Sequence, residues 1–179
     1  MAKITLFGLA GTGTSSVGQF LAERLNYQFI SSGGMFRARA KDLGLSLADF
    51  GALCEREPEH DKALDQEIKY IGETTDNFVV ESRLAWHFIP DSVKIKFVCQ
   101  FDERARRLAN RDGGTPEEAG EAARVREASE RERYKNYYQL TDFTDDSHFD
   151  LIIDTSIIPM TEVVEKILTY LRANKGLAV

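Results

Sequence analysis

The stretch Ile4-Thr5-Leu6-Phe7-Gly8-Leu9-Ala10-Gly11-Thr12-Gly13-Thr14-Ser15-Ser16 decides how the rest of the chain is read. Ile4 to Phe7 suit a short buried strand, and they run directly into a loop carrying Gly8, Gly11 and Gly13. A helical pattern follows from Ser15 to Leu25, with apolar residues three and four apart. Glycines between a strand and a helix let backbone amides curl around an anion, and the helix start aims its unpaired amides and positive dipole end at the same point. The loop therefore reads as a phosphate-binding loop, with Gly8, Ala10, Gly11, Thr12, Gly13, Thr14, Ser15 and Ser16 as the donor-phosphate candidates.

One position departs from that pattern. A lysine normally precedes the hydroxyl residue, and Thr14 stands there instead. A charge-assisted hydrogen bond contributes roughly 1.5–3 kcal/mol, so a working loop needs positive charge from elsewhere. Lys3 is a poor source, because it lies at the opposite end of the first strand, roughly 16 Å away. Without such a charge, the glycines suit a turn that merely joins strand to helix. Ser15 occupies the place of the hydroxyl that binds Mg2+ in such loops.

Outward from the loop, four more runs read as strands: Gln28 to Ser31, Asn77 to Val80, Lys94 to Cys99 and Asp150 to Asp154. Helical patterns occupy Met35 to Leu43, Leu47 to Cys54, His60 to Gly72, Glu103 to Arg111, Pro116 to Tyr138 and Thr161 to Ala173. Strands alternating with helices predict an α/β fold with a parallel sheet covered on both faces. Ligands in such sheets bind beyond the carboxyl ends of the strands, which makes the residues there the candidate site.

Two strand ends carry suitable chemistry. Ser31-Ser32-Gly33-Gly34-Met35-Phe36-Arg37 is a turn entering a helix, where capping hydroxyls and amides suit a phosphate and Arg37 can grip it with two parallel hydrogen bonds. Glu81-Ser82-Arg83 follows Phe78-Val79-Val80, placing Arg83 within reach of a shared phosphate and Glu81 where it can order Mg2+ or its water. A local Glu81 to Arg83 ion pair at the sheet rim is the competing reading. His60, His87 and Trp86 have no partner visible in sequence and read as polar or packed residues.

Composition narrows the function. The chain has 179 residues, 42% of them hydrophobic, and a net charge of -6, which suits one domain and argues against nucleic-acid binding. Its two cysteines, Cys54 and Cys99, read as small buried hydrophobes, and no apolar run reaches membrane-span or leader length. A cytoplasmic protein is expected, with small-molecule nucleotides as partners, no nucleic acid and no membrane, acting as a monomer.

The glycine loop, the Ser31 to Arg37 segment, Glu81-Ser82-Arg83-Leu84-Ala85, Arg126-Glu127 with Ser129-Glu130 and Arg133-Tyr134, and Asp150 to Ser156 together resemble the short cytidylate kinases of archaeal type. Around Trp86-His87-Phe88-Ile89-Pro90 the chain is more similar to a related bacterial group. The resemblance implies a P-loop nucleoside triphosphate hydrolase fold of strand order 2-3-1-4-5, one domain over 1–179, an acceptor region near 31–73 and a helical lid near 111–138. It implies ATP and Mg2+, with Ser15 and Glu81 toward the metal and Gly11 to Ser16 on the donor phosphates. Ser31, Gly33, Arg37 and Arg83 then bind the acceptor, while Arg126 and Arg133, with Arg83, serve the transferring phosphoryl group. Besides Thr14, Gly34 stands where the family has an acid and Ser82 where it has glycine.

Helical geometry divides the lid arginines. At about 100° per residue, Arg124 aligns with Arg131 and Arg126 with Arg133, and the two pairs point about 200° apart. Glu127 is spaced for a surface pair with Arg131. The resulting expectation is an ATP-dependent transfer to CMP or dCMP. The alternatives are a kinase for UMP, AMP or a non-nucleotide, and a nucleotide-binding module without transfer.

Overall fold

The computed structural model describes residues 2–176, so residues 1 and 177–179 of the expected 1–179 domain lie outside the described residues. In chain order the elements are β1 (Lys3–Gly8), α1 (Thr14–Leu25), β2 (Gln28–Ser31), α2 (Ser32–Asp42), α3 (Leu47–Arg56), α4 (Pro58–Thr74) and β3 (Phe78–Glu81). They continue with α5 (Ala85–Phe88), β4 (Val93–Val98), α6 (Phe101–Asp112), α7 (Pro116–Tyr138), a short 3-10 helix (Asp146–His148), β5 (Leu151–Asp154) and α8 (Met160–Lys175). All strand pairs are parallel and the order is β2-β3-β1-β4-β5. This is the order implied by the family resemblance.

The sheet is covered on both faces, as parallel sheets require. On one face Leu6, Val79 and Ile95 pack with Val17 and Leu21 of α1 and with Val164, Ile167 and Leu171 of α8. On the other, Phe78 and Val80 meet Ile68 of α4 and Ile89, while Phe7 joins Leu84, Trp86, Tyr134 and Phe143. A small satellite core of Ala40, Phe50 and Cys54 joins α2 to α3, so Cys54 is the buried hydrophobe expected of it.

Several boundaries move for identifiable reasons. Asn77 takes a left-handed φ of 60°, so β3 begins at Phe78. The second helix starts at Ser32, not Met35, because the Ser31 hydroxyl accepts the Gly34 amide at 3.0 Å and draws both glycines into the first turn. Pro58 starts α4 two residues before the expected His60, at the first helical position where its missing amide costs nothing. The single turn α5 is absent from the sequence expectations, since four residues are too few to show a period. By contrast α7 is one unbroken helix over the expected span, started by a full capping box between Thr115 and Glu118.

Candidate active site

Register builds the site. Parallel pairing sets Glu81 beside Ser31 across β2 and β3 and beside Leu6 of β1, so the carboxyl ends of three strands open at one level. There a cleft of about 700 Å3 is lined by the glycine loop, the start of α2, the Glu81-Ser82-Arg83 corner, Arg107, Arg111 and Asp112 of α6, and Arg126 of α7.

The loop takes its shape from two positive-φ glycines, Gly11 at 85° and Gly13 at 92°. A Cβ on Gly11 would stand 2.7 Å from the Arg104 carbonyl, so only glycine lets α6 approach the loop. Gly8, Ala10, Gly11, Gly13, Thr14, Ser15 and Ser16 all line the cleft. Thr12 does not. It is buried, with its hydroxyl donating to the Leu9 carbonyl at 2.8 Å and its own carbonyl accepting from Thr155 at 2.8 Å. Its part is to tie the loop to the end of β5.

At the start of α2, Gly33 and Arg37 line the cleft, and Ser31, which does not line it, caps the helix. The Ser31 hydroxyl also donates to Glu81. Ser15 donates to both Glu81 oxygens, at 2.8 and 2.7 Å. One carboxylate thus joins the glycine loop to the start of α2.

Arg83 does not pair with Glu81 in the local manner of the competing reading. Its Nη1 donates to the Gly8 carbonyl and its Nε to Glu130 at 2.9 Å. Glu130 spends its second oxygen on Arg126 Nε, also at 2.9 Å. Burial acts to raise the Glu130 carboxyl, and the two guanidiniums override it and hold it below its ordinary range. Burial works against the Arg83 charge as well, and Glu130 more than restores it. Trp86 is buried, donating from its indole nitrogen to the Arg83 carbonyl at 3.0 Å and stacking on His148 at 4.2 Å between ring centres.

The α7 arginines divide as helical geometry requires, with different partners. Arg124 lies 4.2 Å from the Phe101 ring and Arg131 5.8 Å from that of Phe143, so this face packs on aromatics. Glu127 does not pair with Arg131; it accepts from the buried Arg104 of α6. On the other face Arg126 reaches the cleft. Arg133 does not line it, and instead donates from Nε to Asp61 of α4 at 2.9 Å. The fold does not bring Arg133 together with the other site residues.

Sequence reasoning missed the arginine stripe on α6. Arg104, Arg107 and Arg111 are three and four residues apart, the spacing of one helix face, and that was the available signal. Arg104 Nε donates to the Ala10 carbonyl at 2.8 Å, and Arg107 Nη2 to the Thr155 carbonyl at 2.7 Å. Lys3, at the far end of β1, is held by Gly72 and Asp91.

A model of the cytidylate kinase-like family matches residues 3–157. The chain belongs to that family. It is 41% identical over 157 residues to a cytidylate kinase of Methanosarcina acetivorans, covering 86% of this chain and 87% of that protein. It is 36% identical over 162 residues to a cytidylate kinase of Methanocorpusculum labreanum, covering 90% and 91%. Among solved structures, shikimate kinase of Aquifex aeolicus matches with a TM-score of 0.60 at 22% identity, over 97% of this chain and 98% of that one, a likeness of fold.

Between α4 and α7 lies a titratable group outside the cleft. Burial pushes the Asp65 carboxyl up to about 7, against the opposing hydrogen bond from the Tyr138 hydroxyl at 2.7 Å. An unfolded Asp titrates near about 3.9, so the folded state binds the extra proton between about pH 4 and 7. Asp65 therefore contributes stability that is present at pH 4 and lost as pH rises toward 7 and beyond. Asp65→Asn should flatten this slope and melt above the wild type at pH 8. Thermal melts of both proteins at pH 5 and 8 check this, and parallel pH dependences would contradict it.

Proposed function

We propose that the chain is a cytidylate kinase that transfers the ATP γ-phosphoryl group to the 5′-phosphate of CMP or dCMP. The observation that carries this reading is that a glycine loop and an arginine-bearing acceptor turn open into one cleft, joined by Glu81. The resemblance to cytidylate kinases over most of the chain supplies the acceptor.

In this reading the amides of Gly11 to Ser16 hold the donor phosphates, and Ser31, Gly33, Arg37 and Arg83 hold the acceptor. Arg126 neutralises charge on the phosphoryl group in flight. With Thr14 in place of lysine, cleft arginines at 83, 107, 111 and 126 supply the positive charge. Ser15 and Glu81 present hard oxygen donors, the set Mg2+ accepts when substrate phosphates and water complete its shell. Held by Ser15 and Glu81, Mg2+ would supply positive charge against the charge that develops on the phosphates. Transfer is by in-line attack with no covalent enzyme intermediate, and the residues position, neutralise and exclude water. The chain works as one kinase domain, with an acceptor region near 31–73 and a lid near 111–138, as a cytoplasmic monomer. No helix among the described residues is long and apolar enough to cross a membrane.

Thr14 favours a second reading, a nucleotide-binding module that has lost transfer. An acceptor panel separates the two: with ATP and Mg2+, CMP or dCMP should be converted to the diphosphate faster than UMP, AMP or shikimate. Turnover of another monophosphate alone would remove the cytidylate assignment, and nucleotide binding without any turnover would establish the binding module. Thr14→Lys should raise the rate less than tenfold, under about 1.4 kcal/mol of barrier, because the arginines already carry the charge. A much larger gain, read in the same assay, would mean that the natural loop lacks its charge.

A further inference from the structure

Arg133 was expected at the transferring phosphoryl group, yet its guanidinium is occupied elsewhere. Its side chain is 9% exposed and that of Asp61 11%, so the pair is shielded from water on both sides. Nε donates to Asp61 at 2.9 Å and Nη1 to the Ser129 hydroxyl at 2.7 Å. The same side of α7 is fastened to the acceptor helices at three further points. Ser129 donates to Glu55, the Tyr137 hydroxyl to the Cys54 carbonyl at 2.6 Å, and the Tyr138 hydroxyl to Asp65 at 2.7 Å. All of these partners lie on α3 and α4.

Glu130 lies one turn before Arg133 and is 2% exposed. Its two oxygens hold Arg83 and Arg126, both of which line the cleft. A slip of α7 against α4 carries Glu130 and Arg126 along together and takes Glu130 away from Arg83 of the β3 corner. On the kinase reading above, we propose that Arg133 and Asp61 are a positioning pair: they seat α7 on α4 and thereby set Glu130 against Arg83, which it aims at the reacting phosphates, and carry Arg126 of the same helix to the cleft. Arg133 acts through Glu130 and does not touch substrate.

A direct phosphate contact and a positioning role differ when both charges are removed together. Breaking one member of a buried pair strands the other charge, whereas replacing both with apolar residues of similar combined volume preserves packing. The experiment compares wild type, Arg133→Met, Asp61→Leu and the double variant for kcat and KM with ATP and CMP. Thermal melting and acrylamide quenching of Trp86 accompany it; Trp86 is the only tryptophan and shares a buried cluster with Tyr134 of α7. Arg133→Met alone should lower kcat at least about tenfold and expose Trp86, and the double variant should return within about fivefold of wild type with Trp86 protected again. A double variant that melts like wild type and protects Trp86, yet turns over as slowly as Arg133→Met, overturns the proposal. If a leucine variant does not fold, Asp61→Asn keeps the shape without the charge. A fall in kcat with little change in KM then supports the pair, and wild-type kcat overturns it. If the wild type itself phosphorylates no acceptor, the kinase reading fails by itself. The quenching series then decides the pair: loosening in each single variant and recovery in the double supports it, and no loosening in the singles overturns it.

Discussion

The carboxylate of Glu81 is the point on which the cleft depends. It stands at the end of β3, buried to within 7% of full occlusion, and accepts from Ser15 after the glycine loop and from Ser31 before α2. A buried carboxylate left without donors is costly, so both hydroxyls are drawn in and the glycine loop and α2 are fixed relative to each other. Two residues on, Arg83 extends the same corner to the Gly8 carbonyl and to Glu130 of α7. Three elements distant in sequence therefore meet at one strand end. The parallel register that sets Leu6, Ser31 and Glu81 level is what brings them there.

Charge is arranged around the loop in an uncommon way. The position that usually carries a lysine holds Thr14, and the positive groups come instead from α6, from the β3 corner and from α7. Arg104 and Arg107 are tied to backbone carbonyls of the loop and of the segment after β5, so they brace the loop as well as charge its surroundings. An arginine held by a fixed carbonyl is already oriented before a ligand arrives, which lowers the cost of ordering it on binding. A net charge of -6 over the chain is compatible with this, because arginines on strand ends and helix faces concentrate locally what composition averages away.

Local chemistry was legible in the sequence and long-range pairing was not. The glycine loop, the Ser31 cap, the Glu81 corner and the unbroken α7 rest on neighbours a few residues apart, and they stand where local rules put them. The choice of Glu130 as partner of Arg83, 47 residues away, follows from how α7 packs and has no trace in spacing. The same holds for Arg133, whose helix face was legible but whose neighbour on that face, Asp61, was not. Glu127 shows the limit of local rules: an Arg131 at the right spacing loses to Arg104 of the adjoining helix. The stripe at 104, 107 and 111 was visible, but nothing in the sequence says which face of α6 meets the loop.

The proposed transfer requires that one cleft hold a nucleoside triphosphate and a nucleoside monophosphate phosphate to phosphate. Calorimetric titration with a bisubstrate analogue, adenosine joined to cytidine through five phosphates, tests this most directly in the presence of Mg2+. The account predicts one analogue bound per chain, at least about a hundredfold more tightly than ATP or CMP alone, since linking two ligands that occupy adjacent sites turns the second contact into an intramolecular one. Binding no tighter than ATP, or ATP and CMP each still binding to the analogue-saturated protein, would contradict it.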